Sequence, residues 1–346
     1  MADSTTPSRP ARRLLKTCGV LLLALARQAG RFLKTYGFLL VVLAIECVVF
    51  EILARRQGIR PFLSVENLIL ILNQSAIYGV VSVGMTLVIL TGGIDLSVGS
   101  LLAFGGVICA LVVNAAGDTW ASYALGYSAA LLAGLASGSF AGLFITRFQI
   151  PPFIATLALM SSLRGLGYLL LGGTPVSTLP PSYTYLGRHL LAGHVPVGVL
   201  VMLVVFVLGI ILLNTTRFGR HVYAIGGGEE AARLSGVPVD RVKWIVYSIS
   251  GALAVLGGLI LSSKLQSGDP TVGVGDELQV IAAVVVGGTS LSGGRGTIAG
   301  TLIGLLIIAV LSTGLTWIGM ESFGQQVILG LVILAAVLTD RLKRTS

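Results

Sequence analysis

The chain has 346 residues, of which 55% are hydrophobic and only 11% charged, and it carries a net charge of +9. A soluble domain holds about a quarter charged residues, so the composition excludes an ordinary soluble enzyme or binding module. The basic excess lies in loops and tails, where topology determinants sit, and this argues against a nucleic-acid partner.

In chain order, the first feature is a basic segment, residues 1–36. Arg12 and Arg13 ahead of the apolar residues 20–26 have the order of a signal peptide. The apolar part is short, however, and Arg27, Arg31 and Lys34 follow at once, so the segment reads as an uncleaved cytoplasmic lead-in. About ten apolar runs follow, near 37–54, 66–90, 97–116, 122–146, 153–172, 196–214, 244–263, 278–290, 297–318 and 325–339. Runs of about 20 apolar residues are membrane-spanning helices, and the short alternating segments of a β-barrel are missing. The expected fold is therefore an all-α polytopic membrane protein. The eighth run is short for about 30 Å of hydrocarbon and is broken, tilted or dependent on its Gly-rich flank. The 46 glycines predict a tightly packed bundle, because small residues let helix backbones approach.

Residues 37–340 form one transmembrane domain with short loops, followed by a tail at 341–346. With both termini cytoplasmic, 17 Lys and Arg fall inside, and five fall outside: Arg55, Arg56, Arg60, Arg188 and Lys264. Arg164 lies within a span. Reversing the chain would invert this bias. The longest outer loop is 173–195. An internal echo, G-G-x-x-L-S-x-G, occurs at 92–99 and again at 287–294. It is short, but transporter folds often carry repeats.

The most polar stretch is the cytoplasmic loop 215–243, TTRFGRHVYAIGGGEEAARLSGVPVDRVK. Three glycines at 226–228 are expected to interrupt helix. Glu229 and Glu230 then occupy a first turn, where acids favour the dipole. Ala231 and Ala232 keep one face small, and Gly236 and Pro238 stop the helix. The expected product is a two-turn helix outside the bilayer, either a solvated connector or a handle for a soluble partner.

The segment GRHVYAIGGGEEAARLSGVPVDRVKWIVYSISG resembles the coupling loop of bacterial ABC importer permeases for monosaccharides, the ribose-type branch with its xylose, arabinose, galactose and autoinducer-type relatives. NQSAIYGVVSVGMTLVILTGGIDLSVGS is similar to the second and third spans of that family, and GDELQVIAAVVVGGTSLSGGRGTIAGTLIGLLI to its C-terminal signature. The resemblance covers roughly residues 65–340 in the family's order. One departure is Gly228, where relatives commonly carry Asn, which loosens the helix entry.

The resemblance implies an inner-membrane permease with a cytoplasmic coupling helix and about ten spans. Two copies, identical or paired with a sister subunit, would sit on cytoplasmic ATPase subunits that hold ATP and Mg, with no cofactor on this chain. A periplasmic binding protein would deliver the sugar. Glu229, Glu230, Ala231, Ala232, Arg233, Leu234 and Gly236 would dock on the ATPase.

Polar residues in the second and third runs are candidates for the sugar path. Asn73, Gln74, Ser82 and Thr86 read equally as helix–helix hydrogen-bonding groups or as path lining, since a hydroxyl-rich substrate needs neutral donors and acceptors. Asp95, with Ser97 beside it, reads first as the N-cap of the following helix and second as part of the path or gate. Arg55, Arg56 and Arg60 either anchor the interface or, with Asp269 on another outer loop, contact the binding protein. Asp276 and Glu277 share that loop. Glu51 is spaced to pair with Arg55, and Glu46 lies deeper in the first span.

No catalytic or metal-binding pattern is present. Cys18, Cys47 and Cys109 lack ligand spacing, His189, His194 and His221 are scattered, and the Gly-rich 288–294 lacks the Lys of a P-loop. Two rival classes are an ion-driven sugar carrier, which needs buried acid–base partners, and a membrane enzyme acting on lipid.

Overall fold

A computed structural model describes residues 9–191, 193 and 195–345. Residues 1–8, most side chains of 9–32 (Cys18 among them) and His194 lie outside the described residues.

The chain is helical almost throughout. α1 (Arg9–Arg56) is continuous where the sequence suggested a lead-in followed by a span, and its membrane-crossing part is Leu33–Arg56. α2 (Val65–Leu90), α3 (Val98–Ala116), α4 (Trp120–Arg147) and α5 (Pro152–Leu171) follow. The long loop then carries a 3₁₀ turn (Pro181–Thr184), α6 (Tyr185–Arg188) and a two-residue hairpin of β1 (Leu190–Leu191) and β2 (Val195–Pro196). α7 (Val197–Thr215) leads to the short α8 (Arg217–Gly227) and α9 (Glu229–Leu234). α10 (Val239–Leu265), α11 (Asp276–Val286), α12 (Ile298–Trp317) and α13 (Ser322–Thr345) complete the chain. Among the described residues nine helices are long and apolar enough to cross a membrane.

α10 is the central post, packed against α2, α3 and α4. Its contact with α4 is set by glycines at four-residue spacing. A Cβ on Gly138 would sit 2.2 Å from the Tyr247 carbonyl oxygen, and one on Gly134 2.6 Å from that of Gly251. In lipid no hydrophobic force separates helix from solvent, so such close backbone packing carries association. α1 is peripheral and meets α12 through Phe50, whose ring lies against Gly314.

The eighth run is not a span. α10 ends at Gln266 in the left-handed region (φ 58°), and residues 266–275 fold back into the bundle. Gly268 packs on Ala110 and Gly273 on Gly99, so the segment travels about 16 Å along α3. α11 therefore begins deep inside and covers only about half a membrane in its 11 residues. Arg164 of α5 holds the re-entrant segment by donating to the carbonyls of Pro270 (2.6 Å) and Val272. Asp269 and Asp276, expected on an outer surface loop, are instead half-buried, and Asp276 accepts from the Tyr78 hydroxyl (3.2 Å).

The internal echo marks two turns of related geometry. Thr91 and Gly287 close α2 and α11, and each is followed by a left-handed glycine, Gly92 (φ 79°) and Gly288 (φ 91°). The geometric match is offset by one residue from the sequence match.

Candidate functional site

The site has three parts: a helix that projects from one end, a glycine joint beneath it, and a polar cleft between α2, α11, α12 and α13.

The projecting part starts where Thr216 caps α8, its hydroxyl accepting from the Gly219 N–H (3.2 Å). Val222 and Ile225 turn inward and are buried, while Arg217 and Arg220 face out. α8 runs through Gly226 and Gly227, where the sequence suggested an interruption, and only Gly228 leaves the helix. α9 then stands on Ala232, 5% exposed. Gly236 (φ 83°) ends it, and the N–H groups of Gly236 and Val237 return to the carbonyls of Arg233 and Ala232. Its back is pinned to the start of α10. Lys243 pairs with Glu229, and Arg233 makes two bonds to Asp240 (2.9 and 3.2 Å) and reaches Glu229 at 3.6 Å. Its front offers Glu230, Ala231 and Leu234, the last 81% exposed. Glu230 has no ionic partner among the described residues. The outward face of α9 thus carries an acid and an apolar side chain on a short helix braced from behind.

Beneath α9, three backbones meet without side chains between them. The Gly294 N–H donates to the Leu90 carbonyl (3.0 Å). A Cβ on Gly226 would lie 1.8 Å from that same oxygen and 2.2 Å from the Gly294 nitrogen. Tyr223, also on α8, donates to the Gly296 carbonyl (2.9 Å). α8 is thus keyed to the end of α2 and to the loop that leads into α12.

The cleft, about 260 Å³, is lined by Gln74 of α2, Gln279 of α11, Ser312 and Thr316 of α12, and Gln325 and Gln326 of α13, with Ser322 at its margin. Gln325 donates to Thr316 Oγ1 and to the Met320 carbonyl, both at 3.0 Å. Ile308, Leu311, Leu315 and Leu329 supply apolar surface. Amides and hydroxyls of both donor and acceptor character, without a full charge, suit a neutral polyhydroxyl solute.

Of the path candidates named from sequence, Gln74 lines this cleft. Asn73, one residue earlier, turns to α6 and donates to the Gly187 carbonyl (3.4 Å). Ser82 bonds back to the Tyr78 carbonyl, and Thr86 shares a 2.8 Å bond with Thr301, tying α2 to α12. Asp95 is 1% exposed and does not cap α3. Its Oδ1 accepts from the Ser97 N–H (3.0 Å) and hydroxyl (2.6 Å), and its Oδ2 from Ser250 (2.9 Å). It knots the α2–α3 turn to α10. Gln279, Ser312, Thr316, Ser322, Gln325 and Gln326 were not singled out by sequence. The Gln325-Gln326 pair at the start of an apolar run was the signal available.

Arg55 pairs with Glu51 (2.6 Å), as their spacing suggested. Arg56 and Arg60 are exposed. Asp269 stands apart from the three arginines, its carboxylate taking the Thr271 N–H (2.7 Å) within the re-entrant segment. No cluster of three or more His, Cys, Asp or Glu suited to a metal occurs among the described residues.

A bundle of long helices with a half-helix, an internal polar cleft and a braced helix projecting from one end is a transport permease in architecture. Residues 67–337 match the family described as "Branched-chain amino acid transport system / permease component", and the chain belongs to it. Within that family it resembles the ribose-type ABC sugar permeases. It is 48% identical over 284 residues to the ribose import permease protein RbsC of Bacillus subtilis, covering 82% of this chain and 87% of that one. It is 44% identical to RbsC of Escherichia coli K12, covering 82% and 88%. Against the L-arabinose transport system permease protein AraH of Escherichia coli K12 the identity is 38%, covering 82% and 84%. No solved structure is a significant match.

Proposed function

We propose that this chain is the membrane permease of an ABC importer for a ribose-like monosaccharide, working with itself or a sister subunit. A periplasmic binding protein supplies the sugar, and cytoplasmic subunits hold ATP and Mg. Both termini and α8–α9 are cytoplasmic in this reading, and the inner membrane is the site of action. The observation that carries it is α9, braced from behind by Lys243 and Arg233 and open in front at Glu230 and Leu234.

The mechanism is mechanical. Closure of the ATPase subunits pulls or tilts α9. Because α8 meets Leu90 and Gly294 with no side chain to compress, its displacement passes to the end of α2 and to the loop before α12. Those two helices carry Gln74 and Ser312, so the cleft changes shape when α9 moves. Two arrangements of packed elements, biased by a partner, are what alternating access requires. The sugar is held by neutral amide and hydroxyl bonds, each worth about 0.5–1.5 kcal/mol net, which favours release over tight binding.

Against an ion-driven carrier, the buried Asp95 is held by Ser97 and Ser250 rather than by a base, and Arg164 donates to backbone carbonyls and makes no ion pair among the described residues. The test is uptake of labelled ribose into proteoliposomes. Uptake that needs the ATPase subunits, the binding protein and ATP together supports the importer, and uptake by this chain alone overturns it.

A further inference from the structure

A second cavity, about 730 Å³, lies at the end of the bundle opposite α9, between the start of α4, the 3₁₀ turn and α6. Its volume is within the range of ligand sites, about 300–1,000 Å³. It shares no lining residue with the polar cleft.

The lining is graded. Trp120, 86% exposed, opens α4, which is a membrane-crossing helix, and Tyr123 and Tyr127 follow on it at one-turn intervals. Tyr127 is about 10 Å further along the span than Trp120. The opposite wall is Tyr185, stacked on His189 with ring centroids 4.5 Å apart and 19° between planes. Aromatic rings at the end of a span are the side chains that lie at headgroup depth. The rim is charged with both signs. Asp118 uses Oδ1 to accept from Ser182 (2.6 Å) and Tyr123 (2.7 Å), and those bonds hold its carboxyl below the usual carboxylate range. Arg188, which lines the cavity, donates from Nε to the Lys264 carbonyl (2.6 Å), and its two terminal nitrogens make no hydrogen bond among the described residues. Neither residue makes an ion pair among the described residues.

A cation and an anion, each held in place yet unpaired, over aromatic rings that descend into the apolar zone, call for a ligand with the complementary pair of charges and an apolar continuation. We propose that this cavity binds the headgroup of a zwitterionic aminophospholipid, with its phosphate on Arg188 and its ammonium on Asp118. Arg is suited to phosphate through paired N–H donors. A carboxylate that accepts hydrogen bonds favours a primary ammonium over a quaternary one, and the rings add cation–π attraction to either. The acyl chains would leave along Trp120 and Tyr127 into the bilayer. A monosaccharide lacks both charges and the tail, and an anionic lipid would place no cation near Asp118.

The test is native mass spectrometry of the full-length chain in detergent with phosphatidylethanolamine, phosphatidylcholine or phosphatidylglycerol of identical acyl chains. One phosphatidylethanolamine should bind per chain about tenfold tighter than phosphatidylglycerol, with phosphatidylcholine between them. Arg188→Gln should weaken the ethanolamine and choline lipids alike. Asp118→Asn should weaken phosphatidylethanolamine alone and erase its preference. Both residues are exposed, so an unchanged melting temperature without added lipid confirms folding. Equal binding of the three lipids, or binding unaltered in both variants, would overturn the proposal.

Discussion

The amide of Gly294 and the carbonyl of Leu90 share a 3.0 Å hydrogen bond that joins the end of α2 to the loop before α12. Gly226 of α8 presses its bare Cα against both groups. A joint made of backbone alone has no rotamers to absorb displacement, which suits it to pass motion from α9 inward.

Gly226→Ala should break this joint. The added methyl would sit 1.8 Å from the Leu90 oxygen, so α8 must move away. Overpacking of this kind costs about 1–3 kcal/mol. The expected result is a lower melting temperature and ATPase activity no longer stimulated by sugar-loaded binding protein. Gly227→Ala is the matched control. Its Cβ would meet nothing within 4 Å, and the helix should gain roughly 0.5–1 kcal/mol.

Glu230→Arg should leave folding intact, since exposed positions change stability by about ±0.5 kcal/mol or less. It should release the ATPase subunits on co-purification. Glu229 is a different case because it is bound to Lys243. Its replacement should loosen the seat of α9 on α10, lowering both stability and docking.

Asp95→Asn should destabilise the bundle by about 1–3 kcal/mol, because three donors face this 1% exposed carboxylate. Sugar preference in the folded fraction should stay unchanged, as measured by competition among pentoses. A stable variant with altered preference would place Asp95 on the path.

Gln279→Leu should act on transport with little effect on folding. Loss of one neutral hydrogen bond, about 0.5–1.5 kcal/mol, corresponds to a roughly two- to twelvefold rise in the sugar concentration for half-maximal uptake. Equal uptake curves for variant and wild type would remove Gln279 from the path.

The long spans were legible because their signal is local: twenty apolar residues can do little else in a membrane. α9 was legible too, since Glu229, Glu230 and Gly236 mark its start and stop within eight residues. The re-entrant segment was not. Asp269, Asp276 and Glu277 break the hydropathy pattern and resemble a surface loop, yet Arg164, over a hundred residues away, draws their backbone inward. The cleft was read only at Gln74. Its other amides, Gln279 and the Gln325-Gln326 pair, lie in separate apolar runs, and only the packing of α11, α12 and α13 brings them together. Thr86 reads equally as path lining or as a helix–helix contact, and Asp95 first as a helix cap, but the partners that decide their roles, Thr301 and Ser250, lie 215 and 155 residues away.

The most direct measurement is ATP hydrolysis by the reconstituted permease and ATPase, titrated with binding protein loaded with each of several monosaccharides. Stimulation by a ribose-like sugar, lost in Glu230→Arg while the variant remains folded in the membrane, is the expected result. Full stimulation in Glu230→Arg, or hydrolysis indifferent to every loaded sugar, would contradict α9 as the handle through which ATP drives sugar import.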